Sequence, residues 1–187
     1  MILTINGTPS SGKGTVAKLL AQTYQLEHVS IGDIKRAQAQ KRNLTIQEFN
    51  DWANANPKEG HMLFDKAQKE LGETQDQLIV DGRVSFYFIP NSIKIHITCA
   101  LAVAAQRRFN QLQHSQRSEG TFTSQQEVQA ALEHRQESDR QLFIREYGVD
   151  IFDTSQYDIR VDSSQKTPQQ VCDEIVAQIT ALQKESS

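Results

Sequence analysis

Ile2-Leu-Thr-Ile-Asn-Gly-Thr-Pro-Ser-Ser-Gly-Lys-Gly-Thr15 is the stretch whose reading decides the fold. Its first residues, Ile2 to Ile5, are β-branched or apolar and read as a strand. Gly7 and Gly12 frame the turn that follows, where backbone angles closed to residues with a Cβ let consecutive amide N–H groups turn inward around an anion. Val16-Ala-Lys-Leu-Leu-Ala-Gln22 then reads as a helix whose positive end faces the same anion. Lys13 adds a full positive charge on a flexible stem. Strand, loop and helix signals come in the order a phosphate-binding loop requires.

Gly7-x4-Gly12-Lys13 has the spacing of the mononucleotide-binding P-loop, with one change. Gly14 stands where a hydroxyl usually follows the lysine, and Thr15 comes one place later. In this Gly-Lys-Gly-Thr form the loop resembles that of nucleoside monophosphate kinases. The resemblance implies a metal held mainly through water and phosphate oxygens, with Thr15 contacting phosphate.

A chain of 187 residues suffices for one domain with a real core and a small insertion. Hydrophobic content of 37% and charged content of 23% are ordinary for a soluble protein, and no apolar run approaches the roughly 20 residues of a membrane helix. The strand-like start, without basic flank or small-residue cleavage site, leads us to expect a cytoplasmic protein. Cys99 and Cys172 read as buried, reduced thiols rather than a disulfide framework. A net charge of -3 argues against broad binding to a nucleic-acid polymer, so positive charge must be gathered locally. Arg36, Arg83, Arg107, Arg108, Arg117, Arg135 and Arg140 each lie near an expected element boundary, where a fold can collect several of them.

Glu27 to Ser30 reads as a second strand, and Ser30-Ile-Gly-Asp-Ile-Lys-Arg36 turns from it into a helix. Such strand-to-helix junctions line the ligand crevice of a parallel α/β sheet, which places Arg36 near it. From Asp33 to about Gly72 there is no strand signal, while Thr45-Ile-Gln-Glu48 is a capping box and Asn56-Pro57-Lys-Glu59 a helix start. This predicts a helical insertion over about 33–72, with Phe49, Trp52, Ala53, Met62, Leu63, Phe64 and Ala67 as its buried face. Leu78-Ile-Val-Asp81 is a strand ending in a carboxylate suited to a water of a magnesium shell, with Gly82-Arg83 directly after it. Ile93 to Thr98 alternates apolar and polar residues, which predicts one buried face with His96 directed away from it. None of the histidines shows paired metal-ligand spacing.

Leu101 to about His114 reads as a helix, with Leu101, Ala105, Phe109 and Leu112 on one side and Arg107 on the other. The polar stretch over about 115–124 reads as a short lid. Ser124-Gln-Gln-Glu127 caps a long helix that carries Arg135 and Arg140 and stops at Gly148. Tyr157 to Val161 is a last strand, and Thr167-Pro-Gln-Gln170 caps a final helix packed through Val171, Ile175, Ile179 and Leu182.

Taken together, Gly7 to Thr15, Ser30 to Arg36, Leu44 to Asn50, Asp81-Gly-Arg83, Arg135 to Asp139 and Glu146 to Ile151 are similar to the type-2 cytidylate kinases. That resemblance covers nearly the whole chain. It implies a three-layer P-loop NTPase fold with a central parallel sheet of about five strands, a helical NMP-binding insertion and a short lid. It also implies transfer of the γ-phosphate of ATP to CMP or dCMP, with magnesium, in what is expected to be a monomer. Matched to the family, Gly7, Thr8, Pro9, Ser10, Ser11, Gly12, Lys13, Gly14 and Thr15 are the ATP phosphate loop. Arg36 and Arg83 match arginines that hold the acceptor's phosphate, and Arg107 and Arg135 those around the donor and the transferred group; Asp33 and Asp65 are further acceptor candidates from this chain's own residues, and Asp81 with Thr15 the candidates for the metal. Asn50, Asp51 and Gln68 join Asp65 as candidates for reading the base. Ala100 and Ala104 stand where similar kinases often carry Pro and Arg, so that one lid arginine is either missing or supplied instead by Arg108 or Arg117. The family's helix arginine falls near Leu142, with Arg140 as its substitute. Two other readings stay open: a kinase for AMP, UMP or another small acceptor, and an ATP-binding regulator without transfer.

Overall fold

In the computed structural model, which describes residues 1–60, 62–114 and 122–185, the apolar runs build a five-stranded parallel sheet of order β2-β3-β1-β4-β5. Its strands are β1 (Ile2–Gly7), β2 (Glu27–Ser30), β3 (Leu78–Asp81), β4 (Ile93–Thr98) and β5 (Ile159–Asp162). Strand β1 pairs with β3 on one side and β4 on the other, with Ile5 opposite Asp81 and Gly7 opposite Ile97. Chain order reverses about β1, and in open parallel sheets the ligand crevice opens at that switch, beyond the carboxyl ends of the strands. Gly7, Asp81 and Thr98 all end there.

Both faces of the sheet are covered, as parallel sheets require. On one face Leu3, Ile5, Ile95, Ile97 and Ile159 meet α1 (Lys13–Tyr24) and α9 (Pro168–Glu185), the latter through Val171, Ile175 and Ile179. On the other, Leu78 and Val80 meet α2 (Ile31–Lys41), α3 (Ile46–Ala55) and α5 (Met62–Thr74), with the short α4 (Pro57–Gly60) between the last two. A one-turn helix, α6 (Ser85–Phe88), joins Phe143, Ile151 and Tyr157 beneath α8 (Gln125–Tyr147). Helix α7 (Leu101–His114) packs on α8 through Ala105, Val128 and Leu132. Among the described residues no helix is long and apolar enough to cross a membrane.

Local signals predict helix ends well. Thr45 and Glu48 form the reciprocal capping box of α3, and Thr167 and Gln170 exchange equivalent bonds before α9. Ser124 caps α8 at the Glu127 amide, and Gly148 ends it in a left-handed turn at φ 70°. The helix expected after Asn56 is present as α4, its first bonds accepted by the Asn56 carbonyl, while the Asn56 side-chain amide donates back to Trp52 O at the end of α3. Other expectations are corrected. Met62 and Leu63 are exposed, because α5 turns the stripe Phe64 and Gln68 inward and leaves the two preceding residues on its outer side. His96 is buried at 1% exposure, packed on Tyr157 and Phe152: β4 lies inside the sheet with helices on both faces, so its alternation separates two cores rather than core from solvent. Cys99 and Cys172 are buried free thiols, as expected. The expected lid falls for residues 115–121 outside the described residues, Arg117 among them.

Candidate functional site

The loop between β1 and α1 is built by close approach and one left-handed glycine. A Cβ on Gly7 would lie 2.3 Å from the Ile97 carbonyl oxygen, so only glycine lets β1 press against the end of β4 at this point. The Thr8 amide donates to that same oxygen at 3.1 Å, and the Thr8 hydroxyl accepts from the Cys99 amide at 3.0 Å. Gly12 has φ 83° and begins α1 without a side-chain cap, which leaves first-turn amides open to an anion. Ser10 also has positive φ, and buried Ser11 gives its carbonyl to the Ser163 hydroxyl at 3.0 Å. Pro9 is buried; Gly14 lines the first turn and Thr15 is exposed on it.

Lys13 reaches back across the loop mouth to Asp81, 3.2 Å from its Oδ1. Burial pulls the Lys13 ammonium below the usual lysine range, and the Asp81 carboxylate works against that shift. Two residues on, Arg83 is drawn under the loop: it donates to the Gly7 carbonyl at 3.2 Å and pairs with Asp139 of α8 at 2.8 Å. Arg135, one turn earlier on α8, sits 3.9 Å from the same Asp139 carboxylate. One acidic side chain therefore holds two guanidinium groups beside the loop. Burial disfavours the charge on Arg83 as well, again opposed by Asp139.

Behind this group lies the helical face of α2, α5 and the end of α8. Lys35 extends over the Phe64 ring, its Nζ 5.3 Å from the ring centroid. Asp65 accepts the Tyr147 hydroxyl through both oxygens, and burial raises its carboxyl above the usual range while that hydrogen bond and Lys35 pull it down. The remaining base-reading candidates divide. Gln68 is buried and spent on Phe64 O and the Ser85 hydroxyl, Asp51 accepts from Gln47, and Asn50 is half-buried on α3.

Of the residues expected at the site, the structure brings together Lys13, Asp81, Arg83 and Arg135, with Asp65 at their edge. It does not bring all the arginines to one point. Arg36 pairs with Asp33 one turn away on α2, at 2.5 Å. Arg107 clamps the segment after β5, donating to Ser163 O at 2.8 Å and to the Ser164 and Lys166 carbonyls. Arg140 pairs with Asp150 at 2.5 Å, and Arg108 donates to Gln111. Sequence reading passed over Asp139 and Lys35. A signal existed for each: Arg135-x3-Asp139 is an i,i+4 ion-pair spacing, and Lys35 interrupts the buried Ile31/Ala39 stripe of α2.

This geometry gathers cations and open helix amides at the carboxyl ends of β1 and β3, an arrangement able to take anions, and the chain has relatives among known proteins. The AAA domain family matches residues 6–129, from the loop into the first turns of α8. The cytidylate kinase of Methanosarcina acetivorans is 33% identical over 185 residues, covering 97% of this chain and 98% of the relative. That of Halobacterium salinarum is 32% identical, covering 99% of this chain and 92% of the relative. Among solved structures, shikimate kinase from Aquifex aeolicus superposes with a TM-score of 0.59 at 18% identity, over 96% of each chain. At that identity the likeness is one of fold.

Proposed function

This chain belongs to the cytidylate kinase family of P-loop phosphotransferases, and on that premise we propose that it transfers the γ-phosphate of ATP to CMP or dCMP, giving the diphosphate and ADP. The observation that carries the reading is the pair of cation sets gathered at the carboxyl ends of β1 and β3: Lys13 at the mouth of the amide loop, and Arg83 with Arg135 around Asp139. Phosphoryl transfer asks for in-line placement and charge neutralisation more than for a strong base. ATP and a monophosphate together carry about six negative charges, counting nearly two for a monoester. Cations between them let the two ends approach.

In this reading the amides of Gly12, Lys13 and Gly14, with the Lys13 ammonium, hold the donor's phosphates. Arg83 and Arg135 leave Asp139 for the acceptor's phosphate and the transferring group, and one arginine so placed contributes on the order of 10³ to 10⁵ in rate. The α2–α5 helices are the acceptor-binding insertion, and their closure excludes water that would otherwise take the γ-phosphate. Asp65, at the far end of the cleft, is a hydrogen-bonding partner for the base. Arg36 serves the acceptor phosphate after release from Asp33. Arg107 positions the segment after β5 against the loop, and Arg140 holds the end of α8.

The residues fit magnesium. A Cβ on Gly14 would come within 3.3 Å of Asp81 Oδ2, so the glycine keeps open the space between the loop and that carboxylate. Among the described residues no group of three or more His, Cys, Asp or Glu side chains could hold a metal by itself. Asp81 and Thr15 would therefore hold the ion largely through water, and the ion would supply charge neutralisation for the phosphates. We read the enzyme as a cytoplasmic monomer.

An ADP-release assay across all common nucleoside monophosphates tests the proposal. Turnover with CMP and dCMP should exceed that with AMP, GMP, UMP and shikimate. A preference for one of the latter would reassign the acceptor, and tight ATP binding with no acceptor-stimulated turnover would replace the kinase reading by a regulatory one.

A further inference from the structure

Lys35 is placed where a lysine is costly. Helix α2 turns Ile31 and Ala39 into the core of the helical insertion, at 7% and 3% exposure, and Lys35 lies one turn from each on the same stripe. Its stem is half-buried and its ammonium rests over the Phe64 ring. No carboxylate comes within ion-pairing distance of it among the described residues. The charges that act on it are those of the cleft, Asp139 first, then Arg83, Asp65 and Arg135.

The same pocket is short of negative charge. Asp139 faces Arg83 at 2.8 Å and Arg135 at 3.9 Å, and Lys35 lies beyond them under the pull of Asp139 and Asp65, so two carboxylates answer three cations. Asp65, the other acid nearby, is engaged at both oxygens by the Tyr147 hydroxyl. Meanwhile Arg36, beside Lys35 in sequence, is committed to Asp33. An ammonium kept desolvated without a paired carboxylate, among guanidinium groups that share one, is poised for a multiply charged anion from outside the chain.

We propose that Lys35 is a ligand of the acceptor's phosphate: its Nζ leaves the Phe64 ring and joins Arg83 and Arg135 around the phosphomonoester, which takes the place Asp139 holds between them. The ligand class is the terminal monoester phosphate, not the base. This rests on the acceptor site proposed above and adds to it a residue that discriminates a nucleotide from an uncharged nucleoside. Flexibility suits the role, because a four-carbon stem can swing between an aromatic face and an anion while the fork of an arginine is fixed.

The test is calorimetric binding of CMP, UMP, AMP and ATP, each alone, to the full chain and to Lys35→Met and Lys35→Arg. Methionine fits the apolar stripe and keeps the fold. We expect Lys35→Met to weaken monophosphate binding about 10- to 100-fold, the worth of a charge-assisted contact, with ATP affinity unchanged and Lys35→Arg recovering most of the loss. In steady-state assays the change should appear in KM for the monophosphate rather than for ATP. Unchanged monophosphate affinity in Lys35→Met overturns the proposal, and an equal loss for ATP does so too by making Lys35 a support of the fold. If the unmodified chain binds ATP but none of the monophosphates, the acceptor reading itself falls, and this inference with it.

Discussion

Tyr147, the last residue of α8, donates its hydroxyl to both carboxylate oxygens of Asp65 on α5, at 2.8 and 3.0 Å across 82 positions of sequence. The contact ties α5 of the helical segment to the helix that carries Asp139 and Arg135. It also holds the Asp65 carboxyl down against the burial that raises it. Tyr147→Phe should therefore raise the Asp65 pKa further. The acid limb of kcat/KM for the monophosphate should move to higher pH while KM for ATP stays constant. A pH profile that superposes on that of the unmodified protein would remove Asp65 from acceptor binding.

Lys13 is held by Asp81 over the loop mouth. Lys13→Met should lower turnover by at least about 100-fold, the scale of losing one preorganised charge at a transferring group. Far-ultraviolet dichroism and cooperative melting should be retained, since the lysine lies over the loop and not in the sheet's core. Turnover within a few-fold of normal would count against the whole assignment.

Asp139 is the common partner of Arg83 and Arg135. Replacing it by Asn leaves the largely buried Arg83 without its counter-charge, which should cost about 2 to 4 kcal/mol in urea unfolding. In a double-mutant cycle with Arg83→Met the two losses should not add, with a coupling of at least about 1 kcal/mol. Additive losses would mean that the ion pair contributes nothing measurable.

His96 is held neutral, its pKa lowered to about 4 by burial and by the charge of Arg83. Because the unfolded imidazole takes up its proton near its ordinary value of about 6.5, acid favours the unfolded chain. This destabilisation should be absent above pH 6.5, grow as pH falls, and level off below about 4 at roughly 3 kcal/mol. In His96→Phe, melting temperature against pH should be flatter through that window. An identical acid slope in the variant would place the titrating group elsewhere.

Gly7→Ala sets a Cβ 2.3 Å from the Ile97 carbonyl oxygen, where the β1–β4 register and the Thr8 amide bond pin the backbone. A loss of about 3 kcal/mol or more is expected, together with loss of ATP binding. A stable, ATP-binding variant would show that the close approach is not required.

Much of the architecture was legible because its signals are local. Two-residue and 3.6-residue periods marked the strands and long helices, and capping residues at Thr45, Ser124 and Thr167 marked where helices begin. The loop declared itself by spacing. The one-turn α6 went unread because Ser85-Phe-Tyr-Phe88 is too short to show a period, and His96 was misread because alternation reports two different faces without saying that either is wet.

Arginines were where sequence ran out. Any of them can reach several angströms in any direction, so proximity in the chain does not say which acid it meets.

By itself, then, the sequence determined the strand–loop–helix cradle and the parallel α/β class, because glycine placement, apolar period and capping chemistry act over a few residues. Which charges share the cleft was decided only in three dimensions. Asp139 meets Arg83 from 56 positions away, Lys35 lies among them rather than Arg36, and Arg107 and Arg140 are drawn to other partners. A long charged side chain settles on the nearest opposite charge its burial allows, and that neighbour exists only once the helices have packed.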